Sequence, residues 1–224
     1  MTFDSAISSL KRGEFVMIHD SDGRENEIDM VVAAELISPE HIVRMRKHAG
    51  GLICLAIDNM LAEKLQLKYM HNMLSLSSQL DEESKKMIMG TAPYGDHPTF
   101  SISINHKQTY TGITDRDRAL TIKEMSTLYQ KENPKQFFNS TFKTPGHVPL
   151  LIASNGLLSS RTGHTEMSVY LTQLANLSPI TAICEMMDSE TYSALSVNKA
   201  EKYAKENAIP FIDGKELLEF SKVN

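Results

Sequence analysis

Tryptophan is absent from the sequence, and cysteine occurs only twice, at Cys54 and Cys184. Two thiols make no disulfide framework and are too few for a multi-cysteine zinc site. Each sits inside an apolar run, "GLICLAI" and "ITAICEM", as a small core residue in a reducing compartment would. No apolar run reaches the ~20 residues that a membrane-spanning helix needs. The opening stretch, "MTFDSAISSLKRGEF", lacks the charged-then-apolar order of a secretory signal, so the expected location is cytoplasmic. Basic charge is not in excess either. The 23 lysines and arginines stand against 28 acids, a formal net charge of −5, which gives no general attraction to nucleic acid or anionic lipid. Internal repeats, low-complexity tracts and linkers are missing as well.

What is present is an ordinary globular composition: 224 residues, 41% hydrophobic and 23% charged. That length buries a substantial core, as one large domain or two small ones. Helix and strand signals alternate. "SAISSLKRG" reads as a short helix stopped by Gly13. "SPEHIVRMRKHAGG" reads as a longer one, with Ser38 as cap, Pro39 in the first turn and Gly50 at the end. "DNMLAEKLQL" and "EMSVYLTQLANL" have helical spacing, and capping boxes at Thr121–Glu124 and Asp213–Glu216 predict two further starts. "EFVMIH", "DMVVAAEL", "LICLAI", "TFSISIN", "VPLLIA", "PITAICEM" and "IPFI" read as strands. Residues 70–98, polar and rich in methionine, read as a long loop or lid. With no linker, the expectation is one α/β domain over residues 1–224, a mixed sheet covered by helices on both faces.

Four stretches carry chemistry. In "HDSDGRENEIDM", five acids (Asp20, Asp22, Glu25, Glu27 and Asp29) surround Arg24 between two apolar runs. They are either a solvated turn on Asp22-Gly23 or a cluster whose mutual repulsion a cation relieves, and hard carboxylate oxygens suit Mg²⁺ or Mn²⁺. In "SSRTGHTEMSVYL", the residues Arg161, Thr162, Gly163, His164 and Thr165 run into an amphipathic helix, with Thr165 able to cap it. Free backbone N–H groups at a helix start, a forked arginine and a glycine together make an anion site. His164 there can bind metal, donate to phosphate or simply face water. In "TPGHVPL", Pro145-Gly146 predicts a turn that delivers His147. In "ITAICEMM", Glu185 ends a buried strand, where a carboxylate is costly unless it is paired or used.

These stretches occur together, and in this order, in one family. With "AGGLIC", "SISI", "TYTGIT" and "DRA", they make the sequence resemble the 3,4-dihydroxy-2-butanone 4-phosphate synthases over roughly residues 3 to 215. The resemblance implies a three-layer α-β-α sandwich around a mixed, largely antiparallel twisted sheet, and a homodimer with active sites near the interface. It implies conversion of D-ribulose 5-phosphate to 3,4-dihydroxy-2-butanone 4-phosphate plus formate in riboflavin biosynthesis. The implied cofactor is Mg²⁺ or Mn²⁺, as two ions held by Glu25 and His164. Arg24 and Asp29 would contact the sugar, Arg161 through Thr165 the phosphate, and Glu25, Asp29, His147 and Glu185 would act in catalysis, with Glu185 also touching substrate. Ile28 stands where many relatives have glycine. Some relatives are fused to GTP cyclohydrolase II; this chain lacks the cysteines for that zinc site and is expected to be monofunctional.

Two rivals stand beside this expectation. One is another metal-dependent sugar-phosphate lyase or phosphatase, which would release no formate. The other is a nucleotide- or RNA-binding module of similar architecture, since fold alone does not fix function; the acidic balance speaks against it.

Overall fold

The computed structural model describes residues 3–88 and 90–223. In chain order the elements are α1 (Phe3–Lys11), β1 (Val16–His19), β2 (Ile28–Ala33), α2 (Pro39–Arg44), β3 (Cys54–Ile57), α3 (Asn59–Leu65), α4 (Met70–Ser75), α5 (Glu82–Lys85), β4 (Phe100–His106), α6 (Asp115–Ser126), α7 (Pro134–Thr141), β5 (Phe142–Ile152), α8 (His164–Leu174), β6 (Ile180–Glu185), a small hairpin of β7 (Met187–Asp188) and β8 (Ser193–Ala194), α9 (Val197–Glu206), β9 (Phe211–Asp213) and α10 (Gly214–Val223). Seven strands form one sheet in the order β4-β5-β3-β6-β2-β1-β9. The β1/β9 and β3/β5 pairs are parallel and the other four neighbouring pairs antiparallel, so the sheet is mixed and largely antiparallel.

The central strands are buried on both faces, and their alternation sorts side chains into two cores. Met30 and Val32 of β2, Leu55 and Ile57 of β3 and Ala182 and Cys184 of β6 pack with residues of α2, α3, α6, α7 and α9. Val31, Cys54, Ala56 and Ile183 point the other way and pack with α1, α8 and α10. The result is three layers. Period-two alternation puts Asp29 and Glu185 on the α8 side, in line with Val31 and Ile183. Their strands are antiparallel, and Asp29 is the direct cross-strand partner of Glu185.

Several predicted boundaries move. The helix expected from Thr121 begins six residues earlier: Thr114 accepts the Asp117 N–H at 3.1 Å, and acids at 115 and 117 favour the first turn. Thr121 lies inside α6, where its hydroxyl donates to the Asp117 carbonyl and accepts from the His106 N–H. Helix α8 is capped by Gly163, and Thr165 is its second residue rather than its cap. Pro145-Gly146 makes no turn. The segment runs on as β5 with a cis Thr144–Pro145 peptide and a register shift against β4. Gly146 presses so closely on the Ile104–Asn105 backbone that no Cβ fits. Residues 70–98 contain α4 and α5, and α9 is a helix the sequence patterns did not single out.

Candidate active site

The loop between β1 and β2 is folded by one of its own acids. Asp20, 1% exposed, accepts the Glu25 and Glu27 backbone N–H groups at 2.9 and 3.2 Å and the Arg24 guanidinium at 3.1 Å. Asn26 sits at φ +53° with its Oδ1 3.0 Å from His19 Nε2. Asp22 is exposed beside Lys215. The crowding of acids thus resolves into one scaffold, one solvated residue and three groups, Glu25, Glu27 and Asp29, that surround His164.

His164 opens α8 and is 5% exposed. Its Nε2 faces the Glu27 carbonyl at 3.1 Å, and its Nδ1 faces Glu25 Oε2 at 3.1 Å and Asp29 Oδ1 at 3.9 Å. A carbonyl only accepts, so Nε2 carries hydrogen; Nδ1 then meets a carboxylate and needs a proton, or another cation, between them. Burial alone would lower the imidazole pKa, but Asp29 and Glu25 outweigh it and push it up to about 9. Burial works against ionisation of Glu25 too, yet His164 and Arg24 hold its carboxyl well below the usual range. Asp29 goes the other way. Burial raises it, Glu185, Glu25 and Glu27 add repulsion, and it is pushed up to about 7 although His164 opposes. Its Oδ1 is buried without a hydrogen-bond partner. Glu185 is held at 2.8 Å by the Leu52 N–H, next to Gly51, where a Cβ would overlap the Glu185 carboxylate.

A second group of charges lies alongside. Arg161 donates to Glu166 Oε2 at 2.5 Å, and Glu166, fully buried, also accepts the Ser154 N–H at 2.9 Å. Arg24 binds Glu25 at 2.9 Å and Asp96 at 2.8 Å, and its guanidinium stacks on Tyr94, whose hydroxyl donates to Glu25 Oε1 at 2.7 Å. Both arginines close over Gly163, and an added Cβ there would overlap Arg161 and lie 2.8 Å from Arg24 Nη2. Thr165 shares a hydrogen bond with Thr99 at 3.2 Å. Among these groups is a cavity of about 240 Å³ walled by Glu25, Asp29, Arg161, His164, Thr165 and Glu185, with Tyr94 and Thr99 opposite.

The residues singled out in the sequence therefore converge, with one exception. Arg24, Thr162 and Gly163 lie beside the cavity wall. His147 stands apart on β5, exposed, with its backbone N–H donating to Asn105 Oδ1 at 2.8 Å and its Nδ1 3.0 Å from Asn105 Nδ2. Four neighbours of the site were not singled out: Tyr94, Asp96 and Thr99, which are distant in sequence, and Glu166, which follows directly on Thr165. Arg161 and Glu166 pair across five residues, outside the three- and four-residue spacings that mark a helix-face pair. A larger cavity of about 820 Å³ lies elsewhere, near Leu61, Leu128, Tyr129 and Lys135, and joins no metal-ligating cluster.

The donor set fits a divalent cation. Ligand atoms of Asp20, Glu25 and His164 lie within 4.8 Å of one another. Asp20 spends its oxygens on the loop and Glu25 shares its own with Tyr94 and Arg24, so a cation would enter between Glu25 Oε2 and His164 Nδ1, with the unpartnered oxygen of Asp29 3.9 Å from that nitrogen. A cation would replace the Nδ1 proton beside Glu25, with few protein carboxylates, as Mg²⁺ prefers.

The chain matches the model of the family 3,4-dihydroxy-2-butanone 4-phosphate synthase over residues 4–220. It is 44% identical over 214 residues, 96% of this chain and 93% of the relative, to the 3,4-dihydroxy-2-butanone 4-phosphate synthase of Methanothermobacter thermautotrophicus. To the protein of the same name from Saccharomyces cerevisiae it is 33% identical, over 98% of this chain and 97% of the relative. A crystal structure of 3,4-dihydroxy-2-butanone 4-phosphate synthase in complex with two magnesium ions is similar in fold, with a TM-score of 0.81 at 26% identity over 100% of this chain and 98% of that one.

Proposed function

The chain belongs to the 3,4-dihydroxy-2-butanone 4-phosphate synthase family, and from that premise we propose how the pocket between β2, β6 and α8 performs the family's reaction. The protein is a lyase of riboflavin biosynthesis. It converts D-ribulose 5-phosphate to 3,4-dihydroxy-2-butanone 4-phosphate and formate, with Mg²⁺ as cofactor.

The reaction removes a proton beside a ketone, expels water, migrates a carbon and releases one carbon as formate. Bound Mg²⁺ supplies positive charge for the oxygens that become negative along the way. Glu25 and His164 would hold the metal, supported by the fit of His164 Nδ1 between Glu25 and Asp29. The observation that carries the assignment of roles is Asp29: buried, unpartnered on one oxygen and pushed up to about 7. A carboxyl poised near neutrality can take a proton and return it, help typically worth about 10²–10⁴-fold. Glu185, its cross-strand partner, lines the same cavity and is the second proton-handling group. Arg161 and the start of α8 would grip the phosphate end, with Thr162, Gly163 and Thr165 contributing backbone and hydroxyl donors. Glu166 fixes the Arg161 fork, and Arg24, which meets Arg161 over Gly163, would reach the sugar at its phosphate end.

The described residues contribute to the pocket from β2, β6, α8 and the loop before β4, which supports one catalytic domain. Leu52, whose N–H holds Glu185, is 49% exposed, and Met187, which packs against Gly50, is 38% exposed. This apolar edge supports a homodimer with the site near its interface, where the exposed His147 would act. No helix among the described residues is long and apolar enough to cross a membrane, and a cytoplasmic location suits the reaction.

The test is a ¹³C NMR assay with labelled ribulose 5-phosphate. Formate and a four-carbon phosphate should appear with Mg²⁺ and stop with EDTA. Inorganic phosphate or three-carbon fragments in place of formate would reject the reading.

A further inference from the structure

We propose that Asp96 is an internal counter-ion at the phosphate end of the pocket, and that a phosphate ester binds by displacing it. Asp96 is thereby a specificity-determining residue, restricting the pocket to dianionic ligands. The inference rests on the reading that Arg161 and the start of α8 hold the phosphate.

Three sets of donors converge there. The Arg24 side chain is 6% exposed and its Nη2 has no hydrogen-bond partner. The Arg161 Nε is likewise buried without a hydrogen bond. Gly163, against which both guanidiniums pack, caps α8, an eleven-residue helix, with no side-chain acceptor on its first N–H groups. Arg24 also pairs with Asp20 and Glu25, and Arg161 with Glu166; the acceptor that the two guanidiniums share is one carboxylate oxygen. Asp96 Oδ2 lies 2.8 Å from Arg24 Nε and 3.5 Å from Arg161 Nε, the second distance being an ion pair only. A tight turn delivers it: the Ala92 N–H donates to the Asp96 carbonyl and the Gly95 N–H to the Ala92 carbonyl, both at 2.8 Å, with Gly95 at φ +95°.

A phosphate dianion brings three acceptor oxygens and twice the charge to donors that one carboxylate oxygen leaves partly unsatisfied. The exchange is mechanically simple. The Asp96 side chain is 31% exposed and can rotate into water, whereas the buried arginines stay. An uncharged pentulose offers nothing that competes with a carboxylate for two guanidiniums, so it leaves Asp96 in place.

If Asp96 instead only supported the arginines, its loss would weaken phosphate binding; displacement predicts the opposite sign. Asp96→Asn and Asp96→Ser, with folding checked by circular dichroism, are compared with the unsubstituted Mg²⁺-loaded protein. The readouts are the Kd for inorganic phosphate by calorimetry and the KM and kcat for ribulose 5-phosphate. Both Kd and KM should fall by about twofold to fivefold, the scale of one partly exposed charged contact released, with kcat changing less. Unchanged or weaker binding in both variants overturns the proposal. Arg161→Ala is measured alongside. Phosphate binding that survives in it overturns the placement of the phosphate, whereas binding that needs Arg161 but ignores Asp96 overturns the displacement alone.

Discussion

Magnesium affinity should depend steeply on pH, because the metal and a proton compete for one nitrogen. In the metal-free protein His164 Nδ1 lies 3.1 Å from Glu25, and its pKa is pushed up to about 9, so it is protonated at neutral pH. Binding expels that proton. Each pH unit well below 9 relieves the competition about tenfold, and half of the imidazole is still protonated at pH 9, so affinity should rise by about fiftyfold between pH 7 and pH 9, or about 2.3 kcal/mol. Below pH 7 Asp29, pushed up to about 7, takes up a second proton and the dependence should steepen; above pH 9 it should level off. The sign for stability follows from the same group. The raised pKa of His164 stabilises the metal-free fold fully below its ordinary value of 6.5, and that contribution is lost as pH rises through about 9. Calorimetric titration with Mg²⁺ in two buffers of different ionisation enthalpy counts the protons released. Near pH 8 close to one should leave as the His164 site fills. Equal affinity at pH 7 and pH 9 with no proton release would refute the reasoning.

Three substitutions test the scaffold. Glu166→Ala removes the fully buried partner of Arg161 and should lower unfolding stability by about 3–5 kcal/mol, read by urea denaturation; a loss below about 1 kcal/mol, the range of a surface pair, would count against the buried pair. Gly163→Ala puts a methyl against both guanidiniums and should raise KM for ribulose 5-phosphate far more than it changes the circular dichroism spectrum; an unchanged KM would contradict the packing. Asp20→Ala removes three hydrogen bonds from the β1–β2 loop and should weaken Mg²⁺ binding while the sheet stays folded; unaltered Mg²⁺ affinity would show that the loop holds its shape without it.

Much of this was legible in the sequence because the relevant patterns are local. The strands β2 and β6 were legible as apolar runs, but both are buried on both faces, and such runs do not show from sequence which side Asp29 and Glu185 face. What alternation could not give was register. Only the pairing of Asp29 with Glu185 makes them neighbours and adds the repulsion of Glu185 to the burial that raises Asp29. The acidic loop was read as a cluster around a cation, but the division of labour within it depends on which oxygens the backbone has already taken, and that is settled by folding. Asp20 and Glu25 look alike in sequence; one is consumed by the loop and the other faces His164. A capping box misled at Thr121, where a second Thr-x-x-acid pattern at Thr114 competes, and so did the lone capping threonine at Thr165, where the glycine two residues earlier takes the cap. The contribution of Tyr94 and Asp96 was hidden because it depends on tertiary contacts to Arg24 and Glu25 some seventy residues away.

The central claim is that Glu25 and His164 bind the metal on which formate release depends. Its most direct test is formate production by Glu25→Gln and His164→Ala across a Mg²⁺ titration, with circular dichroism as the control for folding. Both variants should stay folded and lose turnover at limiting Mg²⁺. Near-normal formate release by either one at limiting Mg²⁺ would contradict the account.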